Sequence, residues 1–258
     1  MTISYLSMVL GLLLLLPGGY LIYAYDRLSW KKALTAVVRL LAQMAVIGSL
    51  LWGLYSYGSP WLALLWLALL VVAAAFLMVS RCHIRSRVLF APACVAMFVS
   101  VLVVTAYVLL VVLQPQSPLS VRWTVPVMGL LMAHVLTTNI PAVRTYFDCL
   151  HQDSQAYFTV LGNGGRRRQA LAPYVARALK SITVPTMANL SVMGLLVMPM
   201  LLSGLLIGGM DAVEAVFVFV VLVLACVATS LLSLVLILIL VDCRAFTPQG
   251  QLANIFSA

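Results

Sequence analysis

The chain has 258 residues, of which 64% are hydrophobic and only 8% charged, with a formal net charge of +9. A soluble domain carries roughly 25% charged residues, so this composition, with a mean hydropathy of +1.15, excludes a soluble globular fold and belongs in a bilayer. Strand-like alternation is absent, so helices rather than a barrel must satisfy the backbone.

In chain order, apolar runs at residues 3–25, 34–57, 61–80, 88–113, 123–140, 184–208 and 212–241 predict about seven membrane-spanning helices on the length needed to cross a bilayer. The fold class is therefore an all-α polytopic membrane protein. It reads as one transmembrane domain over residues 1–258, with a long polar loop at about 141–183 that has room for one or two short amphipathic helices. The first run does not read as a cleavable signal, because no positive charge precedes its apolar core and no convincing small-residue cleavage site follows.

Charge orients these spans. Arg27, Lys31 and Lys32 follow the first run, and Arg81, Arg85 and Arg87 follow the third. Arg144, Arg166, Arg167, Arg168, Arg177 and Lys180 crowd the 141–183 loop, whereas the intervening loops are uncharged or, at Asp211 and Glu214, acidic. Short basic loops stay cytoplasmic, which predicts an N-terminus outside and a cytoplasmic C-terminus carrying Arg244. Basic residues so placed meet anionic lipid head groups, so the net charge is not read as nucleic-acid binding. Cys82, Cys149 and Cys243 fall on the reducing side and Cys94 and Cys226 within apolar runs, so no disulfide framework is expected.

A polar group inside a span is costly and is a functional candidate by default. Arg39 and Gln43 lie one turn apart on one face of the second run, although Arg39 can also snorkel towards the head groups near Lys32. His134, Thr137, Thr138 and Asn139 polarise the end of the fifth run. A lone histidine there is more often a helix–helix hydrogen bonder than a metal ligand. In the sixth run Asn189, Ser191 and Ser203 add polar groups, Pro185 fits an early helical position, and Pro199 should kink the helix mid-span. Broken helices of that kind line transport cavities.

Met187, Met193, Met198 and Met200 suit adaptable packing better than a soft-metal path, since no cysteine accompanies them. Cys82 with His83, and Cys149 with His151, match none of the recurring zinc spacings. The spans hold few carboxylates, no paired acid and base, and no nucleophile arrangement, so an enzyme is not expected, nor a cofactor in this chain. A G-x-x-x-x-G-K-[ST] phosphate loop is also missing. If nucleotide powers transport, another polypeptide supplies the motor.

Three patches carry a resemblance to a known family. They are Arg39, Gln43 and Gly48 in the second run, Pro126 and Gly129 in the fifth, and Val184-Pro-Thr, Gly194-Leu, Pro199, Ser203-Gly-Leu, Gly209 and Asp211 around the sixth. With them the chain resembles the FetB-like permeases, membrane subunits of small ABC transporters linked to iron export, whose plant relatives are associated with aluminium tolerance. The resemblance covers most of the chain. It implies a permease in a bacterial cytoplasmic (inner) membrane that exports metal ions such as iron. It also implies a permease homodimer and a separate ABC ATPase subunit that holds ATP and Mg2+. A coupling helix facing that ATPase maps to roughly 155–180, with Gly164 at the family's central glycine and Lys180 at a later basic position. Arg166, Arg167 and Arg168 then meet either acidic residues of the partner or lipid phosphates. Arg39, Gln43, His134, Asn139, Asn189, Ser191 and Ser203 are the candidates for the translocation pathway.

This chain departs from the family at the acidic residue shortly before the loop glycine, where it has Tyr157, Phe158 and Thr159. Ala188 and Ser191 stand where the family often has intramembrane charge. That loss weighs against the family's best-known cargo, so a permease for a non-metal small solute stays open. So does a structural or regulatory subunit whose basic loop recruits a cytoplasmic protein.

Overall fold

The structure, a computed structural model, describes residues 27–57, 60–82, 86–115, 117, 120–193 and 198–245. The chain divides into two units, Met1–Tyr57 and Gly58–Ala258, and the expected first span at 3–25 lies outside the described residues. The first unit contributes α1 (Arg27–Tyr57). Its apolar part, Leu34–Tyr57, coincides with the expected second span. Arg39 and Gln43 lie one turn apart on it and are exposed.

The second unit holds α2 (Pro60–Cys82), α3 (Ser86–Tyr107) running into a π-helical segment (Val108–Leu113), α4 (Val121–Gln152), α5 (Ser154–Gly162), α6 (Arg167–Met193), α7 (Met198–Ile207) and α8 (Ala212–Ala245). Pro60 opens α2, where its missing donor costs nothing. Gln114 ends the π-helical segment by turning left-handed at φ 40°, its Nε2 donates to the Val111 carbonyl at 3.1 Å, and Pro115 prevents the helix from resuming. Five helical stretches among the described residues are long and apolar enough to cross a membrane: Leu34–Tyr57, Trp61–Cys82, Leu89–Leu113, Val121–Gln152 and Ala212–Asp242.

Within a bilayer, helices associate through close van der Waals fit and interhelical hydrogen bonds. In the second unit α8 packs on α3 and α4, α2 on α3 and α4, and α6 on α4. Ala74, Ala75, Ala93, Ala96, Ala142 and Ala178 are buried and let the backbones approach, while Leu67, Met78, Leu89, Met97, Leu131, Leu234 and Ile237 fill the space between. Two of the buried hydroxyls are satisfied within their own helices. Thr229 donates to the Ala225 carbonyl at 2.6 Å and Ser100 to that of Met97 at 3.1 Å.

The middle of the chain departs from expectation. The fifth span does not stop at Ile140, because α4 continues to Gln152 and has 32 residues. At 1.5 Å per residue that is about 48 Å, well beyond a hydrocarbon layer of about 30 Å. Nor is 141–183 a loop with one or two short helices. Helix covers all of it except Asp153 and residues 163–166. The cause is a buried stripe of helical period that average polarity conceals. Ala142, Val143, Tyr146, Phe147 and Leu150 face inward on α4, while Arg144 and Asp148 pair at 3.5 Å on the exposed face. Ala170, Leu171, Tyr174, Ala178 and Ile182 repeat the stripe on α6.

The sixth span is corrected for the same reason. Because α6 begins at Arg167, Pro185 is interior to it, as is Pro173, and neither sits at an early position. Pro199, expected to kink a continuous helix, is the second residue of α7 as described, and the junction at 194–197 lies outside the described residues.

Candidate functional site

Three helix faces of the second unit enclose a cavity of about 760 Å³. On α4 the wall is Leu130, Ala133, His134, Thr137, Thr138 and Pro141, spaced three and four residues apart as one helical face requires. On α6 it is Ser181, Ile182, Pro185, Thr186, Asn189 and Leu190, and on α8 it is Phe219, Leu222, Val223, Cys226 and Val227. Leu201 of α7 completes it.

Two prolines shape the polar part of this wall. A proline inside a helix leaves the carbonyl four residues earlier without its helical donor. For Pro141 that carbonyl belongs to Thr137, and for Pro185 to Ser181. Both residues line the cavity. The hydroxyls are turned back onto their own helices: Thr137 and Thr138 donate to the His134 carbonyl at 2.9 and 2.8 Å. Ser181 donates to Ala178 at 2.7 Å and Thr186 to Ile182 at 2.6 Å. His134 Nε2 is buried with no partner among the described residues. Among the described residues no charged side chain lines the cavity.

The pathway candidates separate in this geometry. His134 and Asn189 come together on the wall. Asn139 does not reach it; fully buried between α4 and α8, it donates from Nδ2 to Ser233 Oγ at 2.9 Å. Ser191 is exposed, with its hydroxyl on the Met187 carbonyl at 3.0 Å, and Ser203 is exposed on α7; neither lines the cavity. Arg39 and Gln43 belong to the other unit. Among the described residues no group of three or more His, Cys, Asp or Glu is placed to hold a metal ion. A second cavity, of about 420 Å³, differs in carrying charge, with Arg122 and Glu214 in its lining.

The candidate coupling residues lie at the α5–α6 junction. Gly164 adopts φ +79°, and its N–H and that of Gly165 bond back to the Leu161 and Val160 carbonyls at 3.0 and 2.9 Å, which closes α5 in a Schellman turn. A Cβ on Gly165 would lie 2.6 Å from the Val160 carbonyl oxygen, so only glycine fits. Gln169 Oε1 accepts the Arg166 N–H at 3.0 Å and caps the start of α6.

The arginine triplet is not a uniform basic patch. Arg166 and Arg168 are exposed, whereas Arg167 turns inward and donates to the Asp242 backbone carbonyl on α8. Tyr146 of α4 donates its phenol to Asp242 Oδ1 at 2.7 Å. Tyr157 of α5 is buried beside this group, and its pKa is pushed up by burial, with Arg167 opposing and Asp242 adding. Asp153, between α4 and α5, is held from α6: Arg177 bonds its carboxylate at 2.7 Å and Tyr174 its carbonyl at 3.0 Å. The Asp153 contact holds Arg177 more firmly protonated than usual. Lys180 stands apart, exposed on α6 and about 20 Å along that helix from Arg167.

Sequence reasoning missed the Tyr146–Asp242–Arg167 cluster. The signal was present, since Asp242 is a carboxylate directly after an apolar run and a polar group at such a place marks a site.

These helices and their cavity define an integral membrane protein. The model of an uncharacterised protein family, UPF0014, matches residues 5–246, and the chain belongs to that family. It is similar to the UPF0014 membrane protein slr1647 of Synechocystis, 28% identical over 177 residues, which is 69% of this chain and 68% of that one. It is 27% identical over 188 residues to the UPF0014 membrane protein STAR2 of Oryza sativa, covering 72% of this chain and 64% of the rice protein. It is 27% identical over 107 residues to the protein ALUMINUM SENSITIVE 3 of Arabidopsis thaliana, covering 42% of this chain and 39% of that one. No solved structure matches the chain.

Proposed function

We propose that this chain is the membrane-spanning permease subunit of an ABC transporter of the FetB-like kind, with no chemistry of its own. A separate ATPase subunit binds ATP and Mg2+, and two copies of each form the complex in a bacterial cytoplasmic membrane, with α5 and the basic α5–α6 junction on the cytoplasmic side. The observation that carries this reading is the continuity between cavity and junction. The three helices that wall the cavity, α4, α6 and α8, are the same three joined at the Tyr146–Asp242–Arg167 cluster beside α5. A rigid displacement of α5 is thereby passed to all three walls at once.

The position of Asn189 on a cavity wall supports a transporter over a structural or regulatory subunit. On cargo, the resemblance favours export of metal ions such as iron, and the name of the Arabidopsis relative associates it with aluminium. The uncharged lining favours the other branch, a permease for a non-metal small solute.

The test is co-purification from the native host. We expect an ATPase subunit to copurify and its hydrolysis to rise in the complex. A stable complex lacking any nucleotide-binding chain sinks the proposal. Metal content of cells with and without the gene separates the two cargo readings.

A further inference from the structure

The lining of the main cavity also defines what it would take, an inference that rests on the permease reading. We propose that the cavity binds an uncharged amphiphile, a largely apolar body carrying one or two hydroxyl or amide donors, with His134 and Asn189 as the residues that select it. Its volume of about 760 Å³ lies in the range of small organic ligand sites, about 300–1,000 Å³. A metal ion would need several oxygen or thiolate ligands around it, and an unpaired charge is strongly disfavoured without them. Among the described residues neither a carboxylate nor a lysine or arginine side chain faces this space.

The lining is mostly apolar, and its few polar groups are mostly acceptors. The hydroxyl protons of Thr137, Thr138, Ser181 and Thr186 are spent on helix carbonyls, which leaves their oxygen lone pairs for a ligand. Pro141 and Pro185 add two carbonyls without helical donors. A molecule bringing O–H or N–H groups satisfies these acceptors, and its apolar body lies against the leucine, valine and phenylalanine side chains of the wall. His134 Nε2, buried and lacking a partner among the described residues, and the Asn189 amide can each donate or accept. They set the orientation. Small phenols and alcohols have this chemistry, and so do neutral lipids such as diacylglycerol.

The test places a reporter thiol on either wall, Ala133→Cys on α4 or Val223→Cys on α8, in the full chain held in phosphatidylcholine nanodiscs. Labelling by N-ethylmaleimide is followed peptide by peptide by mass spectrometry, with Cys82, Cys94 and Cys149, which lie off the cavity wall, as internal references. We expect 4-butylphenol, at about ten times its dissociation constant, to slow labelling at both positions about tenfold. The charged analogue 4-butylphenyltrimethylammonium and ferrous ions should not, and His134→Leu with Asn189→Leu should abolish the protection. Equal protection by dioleoylglycerol in the bilayer assigns a membrane source, and protection by the phenol alone a soluble one. Three results overturn the proposal: no protection by either neutral compound, protection by ferrous ions, or no labelling at either cysteine. These rates are read on the chain alone. Protection on the isolated chain, combined with a native complex that lacks any nucleotide-binding subunit, would therefore sink the permease reading while leaving the ligand class intact.

Discussion

The cavity and the α5–α6 junction use the same helices to opposite ends. At the cavity, hydroxyls turn back on their own backbones, prolines leave carbonyls undonated and His134 Nε2 has no partner among the described residues. At the junction, four side chains are committed to another element: Tyr146 to α8, Arg167 to α8, Arg177 and Tyr174 to Asp153. A region whose bonds cross between helices transmits displacement, whereas one whose bonds stay within each helix lets the walls part without breaking any. The junction is built to hold and the cavity to yield.

Substitutions can break that division or sharpen it. The largest loss is expected for Gly165→Val, which forces side-chain atoms into the Val160 carbonyl. A cost of about 3 kcal/mol should appear as a marked drop in unfolding midpoint, together with loss of partner stimulation. Tyr146→Phe comes next, because it removes the phenol that donates to the part-buried Asp242 carboxylate; about 2 kcal/mol is expected in the same measurement. Asn139→Ala removes a single interhelical bond to Ser233 and should cost only about 0.6 kcal/mol. The smallest effect on stability is expected for Asn189→Leu, which leaves the midpoint within error while reducing transport in reconstituted vesicles. Should Asn189→Leu lower the midpoint as far as Tyr146→Phe, the two regions are not mechanically distinct.

Much of the fold was legible because hydropathy over about 20 residues registers lipid exposure directly. The spans at 34–57, 61–80, 88–113 and 212–241 agree with helices to within two residues at the ends. The end of α4 and the start of α6 were not legible by that route, because Arg144 and Asp148 on an exposed face lower the average while Tyr146 and Phe147 stay buried. A stripe count over 139–150 finds them. In the site, His134 and Asn189 stood out as polar residues in apolar runs. Asn139 carried the same signal and proved to be a packing residue, since one position along a helix changes which neighbour it meets. The Tyr146–Asp242 bond spans 96 positions of sequence, and no local pattern encodes such a pairing. Pro185 was misjudged because its role depends on where its helix begins.

The length of α4 has a mechanical consequence. Leu130 on the cavity wall and Tyr146 at the cluster lie 16 residues apart on one helix, about 24 Å. A tilt of about 5° about Leu130 therefore swings Tyr146 through an arc of about 2 Å. Run in reverse, such a lever converts a shift of the junction by less than one helical rise step into a few degrees of wall rotation. The helix is thus geared for large travel at the junction and fine adjustment at the cavity.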